Sequence, residues 1–333
     1  MALFKEHAER TDKGIYTAHT FKFEKEDFIH FFSQLVESKK QTTAKAWKNC
    51  LTHLRAWRNG ERLLFKDLTK ATCAEFRLYL EKLVRRGELK GDSANVYIAK
   101  FKAALRVAVE YDLIPFNPSE RLKAFPSEAT ETAFLTVAEL SALAHTEPPQ
   151  VRGYDSKLFA TFLLFLARTG VRPCDAKAFC WSDIQGDIEN GFYIDFKPSK
   201  TRNKGVKLHR LYLHHDAVRL LFEHRERQIG YDIANRIFIG LPPENSNCLN
   251  EFLRAWSERA GIKKHLTVYS MRHTHATNLL EAGNSLYAIS KVLAHTTTKH
   301  TERYAHLLDV QRRETVNSLP SLYAHGNYQK ENP

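Results

Sequence analysis

Long apolar runs are missing from this chain. Crossing a bilayer as a helix takes about 20 consecutive apolar residues. The longest candidate, Leu158–Ala167, is far shorter and reads as a buried helix. No leader is expected either, because Phe4, Lys5, Glu6, His7 and Glu9 interrupt any apolar segment near the start. Cysteine is sparse: Cys50, Cys73, Cys174, Cys180 and Cys248 are odd in number and never in Cys-x-x-Cys spacing. That argues against a disulfide framework or a zinc site and for free thiols in a reducing cytoplasm. Cys174 and Cys180 are close together, but no matching pair follows them. Internal repeats and low-complexity segments are absent as well.

Acidic residues are in deficit. Fifty Lys and Arg face 38 Asp and Glu, a formal charge of +12, and the isoelectric point is about 9.4. Such a balance points to a polyanionic partner. A membrane surface fits poorly, since no segment pairs a strongly apolar face with a Lys/Arg face.

With 43% hydrophobic and 26% charged residues, the 333-residue chain has a globular composition and a length that suits two domains. From about residue 26 to 112 apolar residues recur at helical spacing. Phe28, Phe31, Phe32 and Leu35 form one stripe, and Trp47, Cys50, Leu51, Leu54 and Trp57 a second. Phe76, Tyr79, Leu80 and Leu83 form a third, and Phe101, Ala104, Leu105 and Ala108 a fourth. Asp92 or Ser93 stands where an N-cap would open that last helix. Lysine and arginine are frequent around these helices, as at Lys39, Lys40, Lys45, Lys48, Arg85, Arg86, Lys100 and Lys102. Pro115, Pro118 and Pro126 then lie among polar residues, as in an extended linker. Thr136, with Glu139 three residues on, offers a capping box for the next helix.

The expected architecture is mainly α with a small β-hairpin, an α+β fold. Residues 1–25 form an extension, 26–116 a helical bundle, 117–133 a linker, 134–310 a second domain and 311–333 a loosely ordered tail. In the second domain, Phe192–Phe196 alternates like a strand and Val206–Leu213 is rich in Val and Leu. Between them lie Lys197, Lys200, Arg202 and Lys204, the basic tip of a hairpin.

Four features of this domain carry chemistry. In Thr169-Gly170-Val171-Arg172-Pro173 a helix should end at Gly170 and another begin near Pro173. The basic hairpin follows, then Tyr269-Ser270-Met271-Arg272-His273 before a helical Ala276–Glu281. Last come Leu293-Ala294-His295 and, nine residues on, Tyr304. Displacing a ribose oxygen from a phosphodiester builds negative charge on the non-bridging oxygens. Two guanidiniums, here Arg172 and Arg272, meet that charge with planar, bidentate geometry. A tyrosine hydroxyl titrates near pH 10 in water, so a nucleophilic Tyr304 needs a cationic surround. A lysine such as Lys200 can protonate the leaving oxygen.

The order and spacing of these residues resemble the tyrosine recombinase, or phage integrase, family. Its catalytic pattern is Thr-Gly-x-Arg, a hairpin lysine, His-x-x-Arg, Leu-Gly-His and a tyrosine about nine residues beyond. The resemblance extends over residues 134–310 and to the basic bundle before them, which matches the family's core-binding, SAM-like domain. It implies a site-specific DNA recombinase that breaks and rejoins strands through a 3′-phosphotyrosyl bond, without cofactor, metal or ATP. Tyr304 is then the nucleophile, Arg172, Arg272 and Tyr269 contact the phosphate, His295 bonds the phosphate or helps position Tyr304, and Lys200, with Lys204 as its rival, acts as acid. Asp175 would orient Arg172, and His273 would pack within its helix. The implied partner is double-stranded DNA, gripped by both domains, with four protomers on two sites and no membrane. The implied location is cytoplasmic, on the nucleoid. Leu307, Leu308, Val310 and Val316 would dock on a neighbouring protomer.

Two departures stand out. Tyr269 occupies the place where the family usually has histidine; a phenol donates a hydrogen bond but is a poor base near neutral pH. About 24 residues precede the first helix, too few for the additional arm-binding domain of many integrases. A His-x-His metal pair at His273 and His275 is disfavoured by ring direction on the helix. Trp181 reads as core. A type IB topoisomerase, or a catalytically silent DNA-binding protein, remains the alternative.

Overall fold

The computed structural model describes residues 26–39, 41–126, 133–199, 208–228, 232, 234–243 and 246–295. The N-terminal extension, Lys200, Tyr304, the apolar residues that follow it and the C-terminal tail lie outside the described residues. The chain divides into two compact units, residues 1–130 and 131–333.

The first unit holds the four expected helices: α1 (Phe28–Glu37), α2 (Gln41–Trp57), α3 (Lys70–Arg85) and α4 (Gly91–Glu110). Asp27 caps α1, accepting from the Ile29 and Leu63 amides at 3.0 and 3.1 Å. This single carboxylate fixes the helix start against the segment after α2. The four apolar stripes converge. Phe28 meets Phe65 and Phe101 edge-on, with ring centroids 5.8 and 5.7 Å apart. Such pairs add about 0.5–1.5 kcal/mol beyond the area they bury.

Two expectations change here. Helix α4 starts one residue before Asp92, and Lys90 stands at the N-cap with no side-chain bond. Neither Asp92 nor Ser93 caps it. Much of the expected linker is also packed onto this unit. Phe125 is buried, and Asn95 holds its backbone from both sides, donating to the carbonyl at 3.1 Å and accepting from the amide at 2.7 Å. Lys102 donates to the carbonyls of Glu120 and Leu122 at 3.1 and 2.8 Å, so it anchors this segment.

The second unit opens with α5 (Val137–His145) on the expected Thr136–Glu139 capping box. Then come α6 (Ser156–Thr169), the one-turn α7 (Pro173–Ala176), β1 (Ile184–Asp187), β2 (Gly191–Phe196) and β3 (His209–Tyr212). Helices α8 (His215–Arg227), α9 (Cys248–Arg259), α10 (Val268–Glu281) and α11 (Leu286–Val292) complete it. The strands form one antiparallel sheet in the order β1-β2-β3. The short, half-exposed β1 carries Gly186 and little alternation, which hid it from the sequence pattern. Helix α6 is buried almost all round and packs against both α8 and α10, and Trp181 is core as expected.

Gly170 ends α6 in the left-handed region, φ +63°. A Cβ there would lie 2.5 Å from Cδ2 of His275 and 2.7 Å from a Leu293 methyl. Glycine is required twice over, for its backbone and for the space. His275 Nδ1 lies 3.2 Å from the Ala167 carbonyl, and its Nε2 is buried without a hydrogen bond. Burial pushes this imidazole down to about 4, and the nearby Arg272, Arg168 and His214 push the same way.

Two measurements follow. Gly170→Ala combines left-handed strain with overlap, so it should destabilise the protein by about 2–4 kcal/mol and lower the melting temperature of the full chain accordingly. An unchanged melting temperature would show that the helix end relaxes freely. A His275 that titrates near 4 when folded and near 6.5 when unfolded binds more protons in the unfolded state across that interval. Stability is therefore present above pH 6.5 and lost as pH falls toward 4. Thermal scans from pH 7 to 4.5 should show a falling midpoint in wild type and a flatter one in His275→Leu.

Candidate active site

The site is assembled by one buried guanidinium. Arg272 sits on the first turns of α10, a helix begun by reciprocal Thr267–Ser270 caps. Helical structure thus starts well before the expected Ala276 and includes Tyr269 and Arg272. Arg272 is 3% exposed. Its Nη1 donates to the Gly170 carbonyl and its Nη2 to the Leu293 carbonyl at 2.6 Å. Gly170 lies two residues before Arg172, and Leu293 two residues before His295. One side chain therefore gathers three of the expected site segments.

Arg172 is the N-cap residue of α7, with Pro173 in the first turn as the sequence implied. Its Nη1 lies 3.8 Å from Oδ2 of Asp175, close enough for charge pairing but beyond hydrogen-bond length. Asp175 also reaches the end of the segment that follows β2. Its Oδ1 accepts from the Ser199 amide at 2.8 Å, and Cys174 Sγ lies 3.3 Å from the Ser199 hydroxyl. The residue just before Lys200 is thereby pinned beside Arg172. The hairpin register, Phe196 opposite His209 and Asp195 opposite Arg210, is held by a two-pronged Arg210–Asp195 pair at 2.9 and 2.8 Å.

His295 follows a tight turn. Its amide donates to the Ser290 carbonyl at 2.9 Å. Ala294, where the family pattern has glycine, takes φ +51°. For a residue with a Cβ that conformation costs about 1–2 kcal/mol, so it must be held by its surroundings. Tyr269 lies one helical turn before Arg272, is 40% exposed, and meets the buried His273 edge-on at 5.1 Å. His273 is buried, and its ring supports that of Tyr269.

The structure brings together Arg172, Asp175, Arg272 and the turn that leads into His295, with Tyr269 on the same helix as Arg272. Sequence reasoning passed over His209, whose imidazole is held below its ordinary value by burial, with Arg272 and Arg172 acting the same way. It also passed over His214, His215 and Asp216, whose ligand atoms lie within 4.8 Å of one another. In that group the Asp216 carboxylate is already paired with Arg168 at 2.9 Å. What the arrangement can do is hold fixed positive donors around a single anionic centre.

Comparison with known proteins agrees in both units. Residues 133–311 match the phage integrase family, and residues 27–124 match the phage integrase SAM-like domain. The chain is 22% identical over 280 residues to tyrosine recombinase XerC of Leptospira interrogans, covering 83% of this chain and 86% of that protein. It is 24% identical over 289 residues to tyrosine recombinase XerC 2 of Ralstonia nicotianae, covering 84% and 80%. Among solved structures, the Tn1549 transposon integrase in complex with circular intermediate DNA is similar with a TM-score of 0.65, at 18% identity over 87% of this chain and 99% of that one. The lambda integrase dimer bound to a COC′ core site gives 0.61, at 20% identity over 83% and 75%. With more than half its length matched, the chain belongs to the phage integrase family, the tyrosine recombinases, which are enzymes of site-specific DNA recombination.

Proposed function

We propose that this recombinase cleaves a DNA strand by attack of Tyr304 on a backbone phosphate assembled against Arg172, Arg272 and His295. The observation that carries the reading is the pair of carbonyl bonds from Arg272, which draw the Arg172 and His295 segments to one point. The Tyr304 oxygen bonds to phosphorus as its proton passes to solvent water, and the bond to the 5′-oxygen breaks. Lys200, next in sequence after the Ser199 that Asp175 holds, protonates that leaving oxygen. The result is a 3′-phosphotyrosyl link close in energy to the bond broken, which a second 5′-hydroxyl reverses without ATP. Tyr269 donates a hydrogen bond to the phosphate in place of the more usual imidazole. The negative charge that grows on the non-bridging oxygens is met by the arginines, so no step uses a metal.

Exposed Lys45, Lys48, Arg85 and Arg86 on the first unit fit duplex binding through backbone phosphates. Lys39 and Lys100 flank the Trp47 ring at 4.9 and 5.9 Å and add to that face. The Tn1549 and lambda integrases are seen bound to DNA. The partner of this chain is accordingly double-stranded DNA, with four protomers on two sites as the exchanging assembly. Its working location is the nucleoid, where that DNA lies. No described helix is long and apolar enough to cross a membrane.

The direct test is covalent capture. Incubated with nicked suicide duplexes drawn from DNA flanking the gene, in the presence of a chelator, the protein should form an adduct that survives denaturing electrophoresis. Tyr304→Phe should form none while binding the duplex within a few-fold of wild type, because affinity rests on many phosphate contacts. An adduct from the Phe variant would overturn the assignment. Asp175→Asn keeps an oxygen for the Ser199 amide but removes the charge beside Arg172. Its single-turnover cleavage should fall about 10- to 100-fold, with duplex affinity nearly unchanged. A wild-type rate would mean that Asp175 serves the hairpin alone.

A further inference from the structure

Helix α6 stops where the site begins, and its last carbonyls need partners that the helix itself cannot supply. The Gly170 amide donates to the Leu166 carbonyl at 2.8 Å, and the Thr169 hydroxyl to that of Phe165 at 2.7 Å. The Gly170 carbonyl accepts from Arg272. The Ala167 carbonyl lies 3.2 Å from Nδ1 of His275, three residues after Arg272 on α10. A carbonyl only accepts, so this Nδ1 carries the proton and His275 is the donor. Its Nε2 is buried and finds no hydrogen bond among the described residues. Two side chains on one face of α10 thus hold two carbonyls of one helix end. The His275 ring and a Leu293 methyl also close over Gly170, where a Cβ would lie 2.5 and 2.7 Å from them. Leu293 carries the other carbonyl that Arg272 holds, at 2.6 Å.

We propose that His275 is a positioning residue for DNA cleavage, fixing the end of α6 so that Arg172 stands at its working distance from Arg272. This role rests on the reading of the site as the cleavage centre. Only Val171 separates Gly170 from Arg172, the N-cap of α7. Any slide or rotation of the α6 end against α10 therefore moves one guanidinium relative to the other. Arg272 cannot prevent that alone, because a single bond to Gly170 leaves the helix end free to turn about it. The second bond, to Ala167, removes that freedom. It is made by a ring whose other nitrogen has no partner, so the imidazole works as a neutral donor. Burial, with Arg272 and Arg168 beside it, holds the ring at about 4 against the opposing pull of the Ala167 carbonyl. A lysine or arginine at this place would bring a further charge to a site that is already cationic.

The test replaces His275 by Asn, whose amide can donate from the place of Nδ1, and by Leu and Met, which fill space without a donor. All are made in the full chain and assayed at neutral pH on the nicked duplex that traps wild type. Single-turnover cleavage at saturating protein, duplex affinity and thermal midpoint are read for each. The Leu and Met variants should cleave about 10- to 100-fold more slowly once bound, the loss expected when a reacting group is misplaced by about an ångström. Their affinity should stay within a few-fold of wild type. Asn is smaller than the ring and should melt below wild type, yet cleave within a few-fold of its rate. Rate then follows the donor and not stability. A double-mutant cycle gives a second readout. Added to Arg172→Lys, His275→Leu should cost far less than it does in wild type, because both changes disturb one guanidinium.

The role is overturned by Leu and Met variants that cleave at the wild-type rate, by a loss confined to affinity, by an Asn variant as slow as Leu, or by full additivity with Arg172→Lys. Met carries the comparison if Leu fails to fold, since its flexible chain fits irregular space. Wild type and Tyr304→Phe run alongside separate the two levels: an adduct that needs Tyr304 leaves the cleavage reading standing whatever His275 does.

Discussion

The second unit is organised around a charge that has been taken out of water. Arg272 is almost wholly buried, and a guanidinium in that position is tolerated only if its donors are satisfied. The partners it finds are main-chain carbonyls at Gly170 and Leu293, 102 and 21 residues away in sequence. Carbonyls of this kind are free only where helices stop, and both lie at helix ends: Gly170 caps α6, and Leu293 caps α11. The side chain therefore closes two helix termini that would otherwise keep open acceptors. Truncating it would leave those carbonyls buried, so the residue serves stability as well as the phosphate contact proposed for it. A loss of activity on replacing Arg272 cannot be assigned to one of those roles without a stability measurement beside it.

The same economy appears in the backbone. Left-handed residues at Gly170 and Ala294 turn the chain at the two points where Arg272 takes hold. At Gly170 the packed His275 ring leaves no room for a side chain, so glycine serves geometry and packing together. At Ala294 the Cβ is retained, and the turn is held by the Arg272 bond on the carbonyl before it. The turn that carries His295 is thus a sprung element whose shape depends on its neighbours. The site's precision lives in contacts between segments rather than within any one helix.

This explains which parts were legible in the sequence. The helical stripes, the stop at Gly170, the Thr136–Glu139 capping box and the β2–β3 hairpin are local patterns, readable because their causes lie within a few residues. The candidate residues were recognisable by order and spacing. What they bond to was not. Arg272 to two distant carbonyls, Asp175 to the Ser199 amide and Lys102 to the segment after α4 are side chain-to-backbone bonds across 18 residues or more. No periodicity encodes such bonds. The supposed linker misled for a related reason: its prolines and polar residues look extended, while Phe125 and the Asn95 bonds fasten it down. Lys90 at the α4 cap shows the limit of a local rule where tertiary packing fixes the helix start.

Gathering Arg172 and Arg272 at one point raises a problem of its own before any anion arrives, since like charges at close range repel. The fold offsets each charge differently. Arg272 is met by carbonyl dipoles. Arg172 is met by Asp175, whose Oδ1 is engaged by Ser199 while Oδ2 stands 3.8 Å away and accepts no hydrogen bond. That spacing gives Coulombic relief without capturing the donors of Arg172 in a two-pronged bond of the kind Arg210 makes with Asp195. The surrounding imidazoles of His209 and His275 are kept neutral by burial and by the arginines themselves. An arriving phosphate then meets donors already oriented, whose positive charge has been balanced at a distance and not consumed. Preorganisation of that sort is what the proposed site would need to stabilise a developing phosphate charge, because little reorientation remains to be done when the charge appears.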